Sequence, residues 1–109
     1  MFVVVLVTCP SVEEARRIAR VLLEERLAAC INIVPGLTSL FWWEGKLDEA
    51  QEALMIIKTR ASLLPELTTR VRELHPYEVP EVVALPIVGG SEDYLSWVGE
   101  EARRGREAG

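Results

Sequence analysis

Shifted by 51 residues without a gap, the 109-residue chain falls onto itself. Residues 3–11, VVVLVTCPS, land on residues 54–62, LMIIKTRAS, so Thr8 meets Thr59 and Ser11 meets Ser62. Further on, INIVP (31–35) lands on VVALP (82–86), and Pro35 meets Pro86. Each half reads strand, capped helix, strand. Two such halves joined through a hairpin specify the βαββαβ order of a ferredoxin-like, split βαβ fold of the α+β class. Four strands with helices on one side leave the other side of the sheet bare, and further subunits are its natural cover.

The local signals agree with that order. FVVVLVT (2–8) is β-branched and apolar, and reads as a strand buried on both faces. Ser11 with Glu14 three places on is a capping-box signature, and Ala15, Ile18, Ala19 and Leu22 follow at helical spacing; the expected helix spans about 12–26. ACINIVPGLTSLFWW and LDEAQEALMIIKT form the arms of a long hairpin turned by EGK at 44–46, with Gly45 at positive φ. Pro35-Gly36 is expected to kink or bulge the first arm. The tip, LFWWEGKL (40–47), is too apolar to stand in water and is expected to pack on a neighbouring chain.

Ser62 is the expected cap of a second helix, with Pro65 in its first turn and Leu64, Leu67, Val71 and Leu74 as its stripe. VPEVVALPIV (79–88) reads as an edge strand bracketed by Pro80 and Pro86. A last helix opens at Ser91 and carries Tyr94, Leu95, Val98 and Ala102 on one side; residues from about 100 to 109 read as a frayed tail. The whole chain, 1–109, is expected to be a single domain.

Charge and composition narrow the function. Net charge is −5, which opposes the phosphate backbone and excludes nucleic acid as the expected partner. Hydrophobic residues make up 50% before the seven glycines are counted. The usual 45–50% includes glycine, so the surplus points to surface buried between subunits. No apolar run spans a membrane or resembles an export signal, and two thiols, Cys9 and Cys30, fit a reducing compartment; the expected location is the cytoplasm. Asn32 and Gln51 are the only side-chain amides, and ten of twelve basic residues are Arg, a bias that suits a hot-living source. There is no G-x-G-x-x-G, P-loop, C-x-x-C or H-E-x-x-H, so no enzymatic activity is expected.

LAACINIVPGLTSLFWWEGKL, IIKT, HPYEVPEVVALPI and DYLSWV together resemble the CutA family of divalent-cation-tolerance proteins, over about residues 3–98. The resemblance implies a ferredoxin-like subunit in a homotrimer similar in build to the PII signalling proteins. It also implies a link to copper and other divalent metals, with no required cofactor. Copper-binding members carry a cysteine just ahead of the threonine that ends the first strand and two histidines before PY. By position these are Val7, Leu74 and His75, of which this chain keeps His75 alone. Cys9 stands two residues past the cysteine position and shares its strand face if the strand continues.

His75 and Cys9 are therefore the candidate metal ligands, for Cu(II) or another divalent cation. Set against this, His75 also reads as a helix C-terminal residue and Cys9 as a small core hydrophobe. Lys58 interrupts the apolar strand LMIIKT; it either pairs with Glu81, in the strand after the second helix, or reaches solvent at a strand end. Trp43, Lys58, Tyr77 and Glu81 are the candidate lining of a cleft between subunits that takes a small ligand. Alternatively, Trp43 and Tyr77 are interface packing. Two functions from different classes follow: a metal-tolerance trimer that binds divalent cations weakly, and a PII-like signalling or scaffold trimer with a ligand at its clefts.

Overall fold

A computed structural model describes residues 1–103. Strand β1 (Phe2–Cys9) leads to helix α1 (Val12–Glu24), then to the hairpin β2 (Cys30–Trp43) and β3 (Lys46–Arg60). Helix α2 (Leu64–Leu74), strand β4 (Val83–Pro86) and helix α3 (Glu92–Glu101) complete it. The sheet order is β2-β3-β1-β4, antiparallel at every step. This is the split arrangement that the repeat predicts: β3 lies between β1 and β2, and β1 lies between β3 and β4.

One sheet face carries the core. Val3, Val5 and Val7 of β1 and Met55 and Ile57 of β3 pack with Ile18 and Leu22 of α1 and Leu67 and Val71 of α2. Each such side chain, fully buried, contributes about 1.5–3 kcal/mol relative to exposure. The alternate residues Phe2, Val4 and Leu6 are only half-buried, so β1 is not covered on both faces by its own chain. The helices that cross back over the sheet, α1 and α2, share one side. Helix α3 covers one end of the other: Gly99 sits against the Phe2 ring, and the Arg60 guanidinium donates to the carbonyls of Gly99 and Ala102. The rest of that face stays open, with Val34, Val83 and Leu85 exposed.

Local chemistry sets the boundaries. The Ser11 hydroxyl accepts from the N–H of Glu14 at 3.1 Å and starts α1, while the Glu14 carboxylate turns to Arg17 instead of closing the box. Ser91 caps α3 in the same way, through the N–H of Tyr94. Ser62 does not cap α2. A 3₁₀ turn at Ala61–Leu63 precedes the helix, which begins after Leu63 without a side-chain cap and with Pro65 in its first turn. At the other end Pro76 forces His75 into an extended conformation (φ −78°, ψ 138°), and α2 stops. Strand β4 is shorter than expected, because it pairs only with Val3–Leu6 of β1. The tail begins later than expected: Glu100 and Glu101 are helical and Ala102 is buried, while residues 104–109 lie outside the described residues.

The hairpin turns on Glu44 and Gly45, both at positive φ (50° and 79°), as a two-residue loop between twisted strands requires. Between Val34 and Leu37 the register slips, with Gly36 at φ 76°. This bulge has a consequence for the site. From the tip the ladder runs Trp43↔Lys46 to Leu37↔Glu52, and past the bulge it runs Val34↔Leu54 to Cys30↔Lys58. Without the extra residue, Lys58 would face Ile31, and Asn32 would point to the opposite side of the sheet.

Candidate functional site

The expected strand continuation is present: β1 includes Cys9 and ends before Pro10. That end of β1 gathers a buried polar knot. The backbone N–H of Tyr77 donates to Nδ1 of His75 at 3.0 Å, so Nδ1 carries no proton. Nε2 is then the protonated nitrogen, and it donates to the carbonyl of Thr8 at 2.7 Å. Both ring nitrogens are engaged, and His75 is only 7% exposed. Its ring lies 4.8 Å from that of Tyr77.

The Tyr77 hydroxyl donates to the Glu52 carboxylate at 2.8 Å. Glu52 is 8% exposed although it follows the charged arm EAQ of the hairpin. It lies one residue past the last β1 pairing, Cys9↔Ala53, and pairs with Leu37 of β2 at the edge of the bulge; Tyr77, from the connection after α2, reaches it on the side that β1 leaves free. Burial raises the Tyr77 hydroxyl to about 12, helped by its bond to Glu52, the Glu52 charge and Cys9. Cys9 is fully buried, and burial, with Glu14 and Glu52 nearby, pushes its thiol to about 11 against a smaller lowering by Arg17. The thiol is therefore protonated near neutrality. Cys9 and His75 do share this end of the sheet, but among the described residues no three His, Cys, Asp or Glu side chains are grouped to hold a metal ion.

The other candidates fall apart within one chain. Lys58 does not pair with Glu81. It is level with Val4 of β1 and, through it, with Leu85 of β4, whereas Glu81 precedes β4 by two residues and is exposed. Four residues of strand separate the two levels, about 13 Å. The Lys58 ammonium donates instead to Oδ1 of Asn32. Lys58 also stands six β3 residues from Glu52, where Tyr77 is held, a separation of about 20 Å. Trp43 sits at the hairpin tip opposite Lys46, twelve residues from Lys58, or about 40 Å. The molecule is accordingly long, 48 × 27 × 23 Å.

Two residues that matter here carried weak signals in the sequence. Glu52 reads as one more charge on an exposed arm. Asn32 could have been placed beside Lys58 only by knowing that the bulge shifts the register by one.

An antiparallel sheet of order β2-β3-β1-β4 with a split βαβ repeat defines a small ferredoxin-like α+β module. The chain belongs to the CutA1 divalent ion tolerance protein family, whose sequence profile matches residues 3–101. It is 58% identical over 97 residues to the divalent-cation tolerance protein CutA of Thermus thermophilus, covering 89% of this chain and 94% of that one. It is 52% identical over 101 residues to the chloroplastic protein CutA 1 of Oryza sativa, covering 93% of this chain but 57% of that longer protein. Among solved structures, the divalent cation tolerance protein Cut A1 from Thermus thermophilus superposes with a TM-score of 0.92 at 55% identity, over 94% of this chain and all of that one. Among the described residues no helix is long and apolar enough to cross a membrane.

Proposed function

We propose that the chain acts as a homotrimer in divalent-cation tolerance, as part of a response to metal ions, binding copper or another divalent cation weakly and catalysing no reaction. The observation that supports assembly is the apolar surface left outside the single chain. Leu40, Phe41, Trp42, Trp43 and Leu47 are exposed along the hairpin tip, and Val34, Val83 and Leu85 on the open sheet face. A cleft that uses Trp43 together with Lys58, Tyr77 and Glu81 needs more than one subunit, because one chain holds Trp43 and Lys58 about 40 Å apart. Two free thiols favour a reducing compartment, and we place the protein in the cytoplasm.

Weak metal binding follows from the chemistry of the proposed ligands, His75 and Cys9. A cation at Nδ1 must displace the N–H of Tyr77, and one at Cys9 must first remove a proton held up to about 11. Two donors also fall short of the three or four that a tight site supplies. Light scattering should give about three times the 12.2 kDa subunit mass; a single subunit mass refutes the trimer. Calorimetry with Cu(II) should show a weaker isotherm for His75→Gln than for wild type, and superimposable isotherms remove His75 from the reading.

A second reading, a PII-like signalling or scaffold trimer with a small ligand at its clefts, is favoured by Lys58. It is a half-buried ammonium, and none of the ion pairs among the described residues includes it. A thermal-shift screen of nucleotides and small acids tests this reading, since a compound that binds only the native state must raise the midpoint. A screen without stabilisation rejects it.

A further inference from the structure

His75 has the form of a ligand already prepared. Its Nε2–H donates to the carbonyl of Thr8 at 2.7 Å, the kind of bond that metal-ligating histidines make with their other ring nitrogen. That bond fixes the tautomer in which Nδ1 carries a lone pair and no proton. The backbone around the ring is pinned as well. The His75 N–H donates to the Val71 carbonyl at 2.8 Å, and the Leu74 carbonyl accepts from Arg17 at 2.7 Å. What occupies the Nδ1 lone pair is the N–H of Tyr77, at 3.0 Å.

Tyr77 is therefore the part that must move. It stands between Pro76 and Pro80 in a stretch with neither helix nor strand, next to the exposed Glu78 and Val79. Its ring lies 4.8 Å from that of His75, and its hydroxyl donates to the buried Glu52 carboxylate at 2.8 Å. One residue thus covers the imidazole with its backbone and the carboxylate with its side chain. Both bonds are made within one chain, so neither depends on which surface an assembly leaves open. We propose that the Tyr77–Glu52 hydrogen bond is a latch on the cation site: a divalent cation reaches Nδ1 of His75 as that bond opens, and the uncovered Glu52 carboxylate then attracts the cation. Opening leaves a lone pair and a negative charge without partners at the same moment, and a cation suits both. Tyr77 and Glu52 are positioning residues in this scheme. The latch gives the divalent-cation reading above its regulation and rests on that reading.

The test titrates Cu(II) into the full chain by calorimetry, and follows hydrogen exchange of the wild type by mass spectrometry with and without saturating Cu(II). A bond to a charged acceptor holds the latch, so Tyr77→Phe should bind Cu(II) about ten- to a hundredfold more tightly than wild type. Adding Glu52→Gln to Tyr77→Phe removes only the charge, since the latch is already gone, and should weaken binding again by about tenfold. Lost stability alone would not tighten a metal site, so the gain separates a latch from a merely structural bond. In the wild type, Cu(II) should speed exchange of the Tyr77 N–H and leave the His75 N–H, held by Val71, protected. This measurement keeps the test open should Tyr77→Phe fail to fold. A Tyr77→Phe affinity no higher than that of wild type overturns the latch. So does a Tyr77 N–H that stays protected at saturation, or an undiminished affinity in the double variant. The two readings fail differently. Superimposable isotherms for wild type and His75→Gln remove the cation site and the latch with it. Binding that needs His75 but is not tightened by Tyr77→Phe removes the latch alone.

Discussion

Removing one oxygen atom from the knot at the end of β1 should unsettle the whole chain. In Tyr77→Phe the ring and its packing on His75 stay, but the Glu52 carboxylate loses the hydroxyl that donates to it at 2.8 Å. Glu52 is 8% exposed, so water cannot simply take the place of that donor. Hydrogen bonds to charged groups contribute about 1.5–3 kcal/mol, and orphaning a buried acceptor costs at least as much. The expected loss is therefore about 2 kcal/mol, a fall in midpoint on the order of 10 °C for a domain of this size. The assay is urea and thermal unfolding by circular dichroism at neutral pH. Protein concentration must be fixed, because assembly makes midpoints concentration-dependent. Glu52→Gln and the double variant complete a cycle whose coupling energy should exceed about 1 kcal/mol. A loss below about 0.5 kcal/mol in Tyr77→Phe, or strictly additive single variants, would show that the bond is incidental.

Three further outcomes follow from other contacts. The folded-state values of Cys9 (from 9.0 to about 11) and Tyr77 (from 10.0 to about 12) are both raised, so their stabilising contribution is complete below about pH 9 and is lost as pH rises toward about 12. Unfolding measured across that window should show the decline, with Cys9→Ala relieving its lower part and Tyr77→Phe its upper part; a flat profile in wild type contradicts the burial argument. Ser11→Ala should cost about 1 kcal/mol through the lost cap on Glu14, whereas Ser62→Ala, its repeat counterpart, should stay within about 0.5 kcal/mol; equal effects would mean that the cap geometry is not what matters. In Gly99→Ala the new Cβ would meet the Phe2 ring at 3.2 Å and the pinned Arg60 guanidinium at 3.3 Å, and the strain should outweigh the gain in helix propensity by about 1 kcal/mol. A more stable variant would show that this contact yields freely.

The repeat carried the fold because its two halves keep register through strand, helix and strand. Given that order, few topologies remain besides β2-β3-β1-β4. Gly45, Ser11 and Ser91 act in the structure as their sequence context predicts, since turn and cap chemistry is local. Ser62 matches Ser11 by offset yet does not cap, because the 3₁₀ turn moves the helix start past it. The site was harder to read. His75 and Tyr77 stand out by type, but their partners lie 67 and 25 residues away, at Thr8 and Glu52, and no spacing rule reaches that far. Lys58 was legible as an anomaly. Its partner was not, because one extra residue at Pro35-Gly36 decides which face Asn32 occupies.

The interleaving of the strands governs the order in which the molecule can come into being. Strand β1 is hydrogen-bonded to Ala53–Arg60 and Val83–Pro86 and never to β2. When the chain is made from its N-terminus, the first half of the repeat emerges with its two strands and no strand to set between them. Two similar halves thus make one cooperative unit, not a tandem of small domains. Cleavage at the Glu44-Gly45 turn would give two pieces of related pattern, each missing the strand that belongs at its centre, and only a mixture of the two could rebuild the sheet.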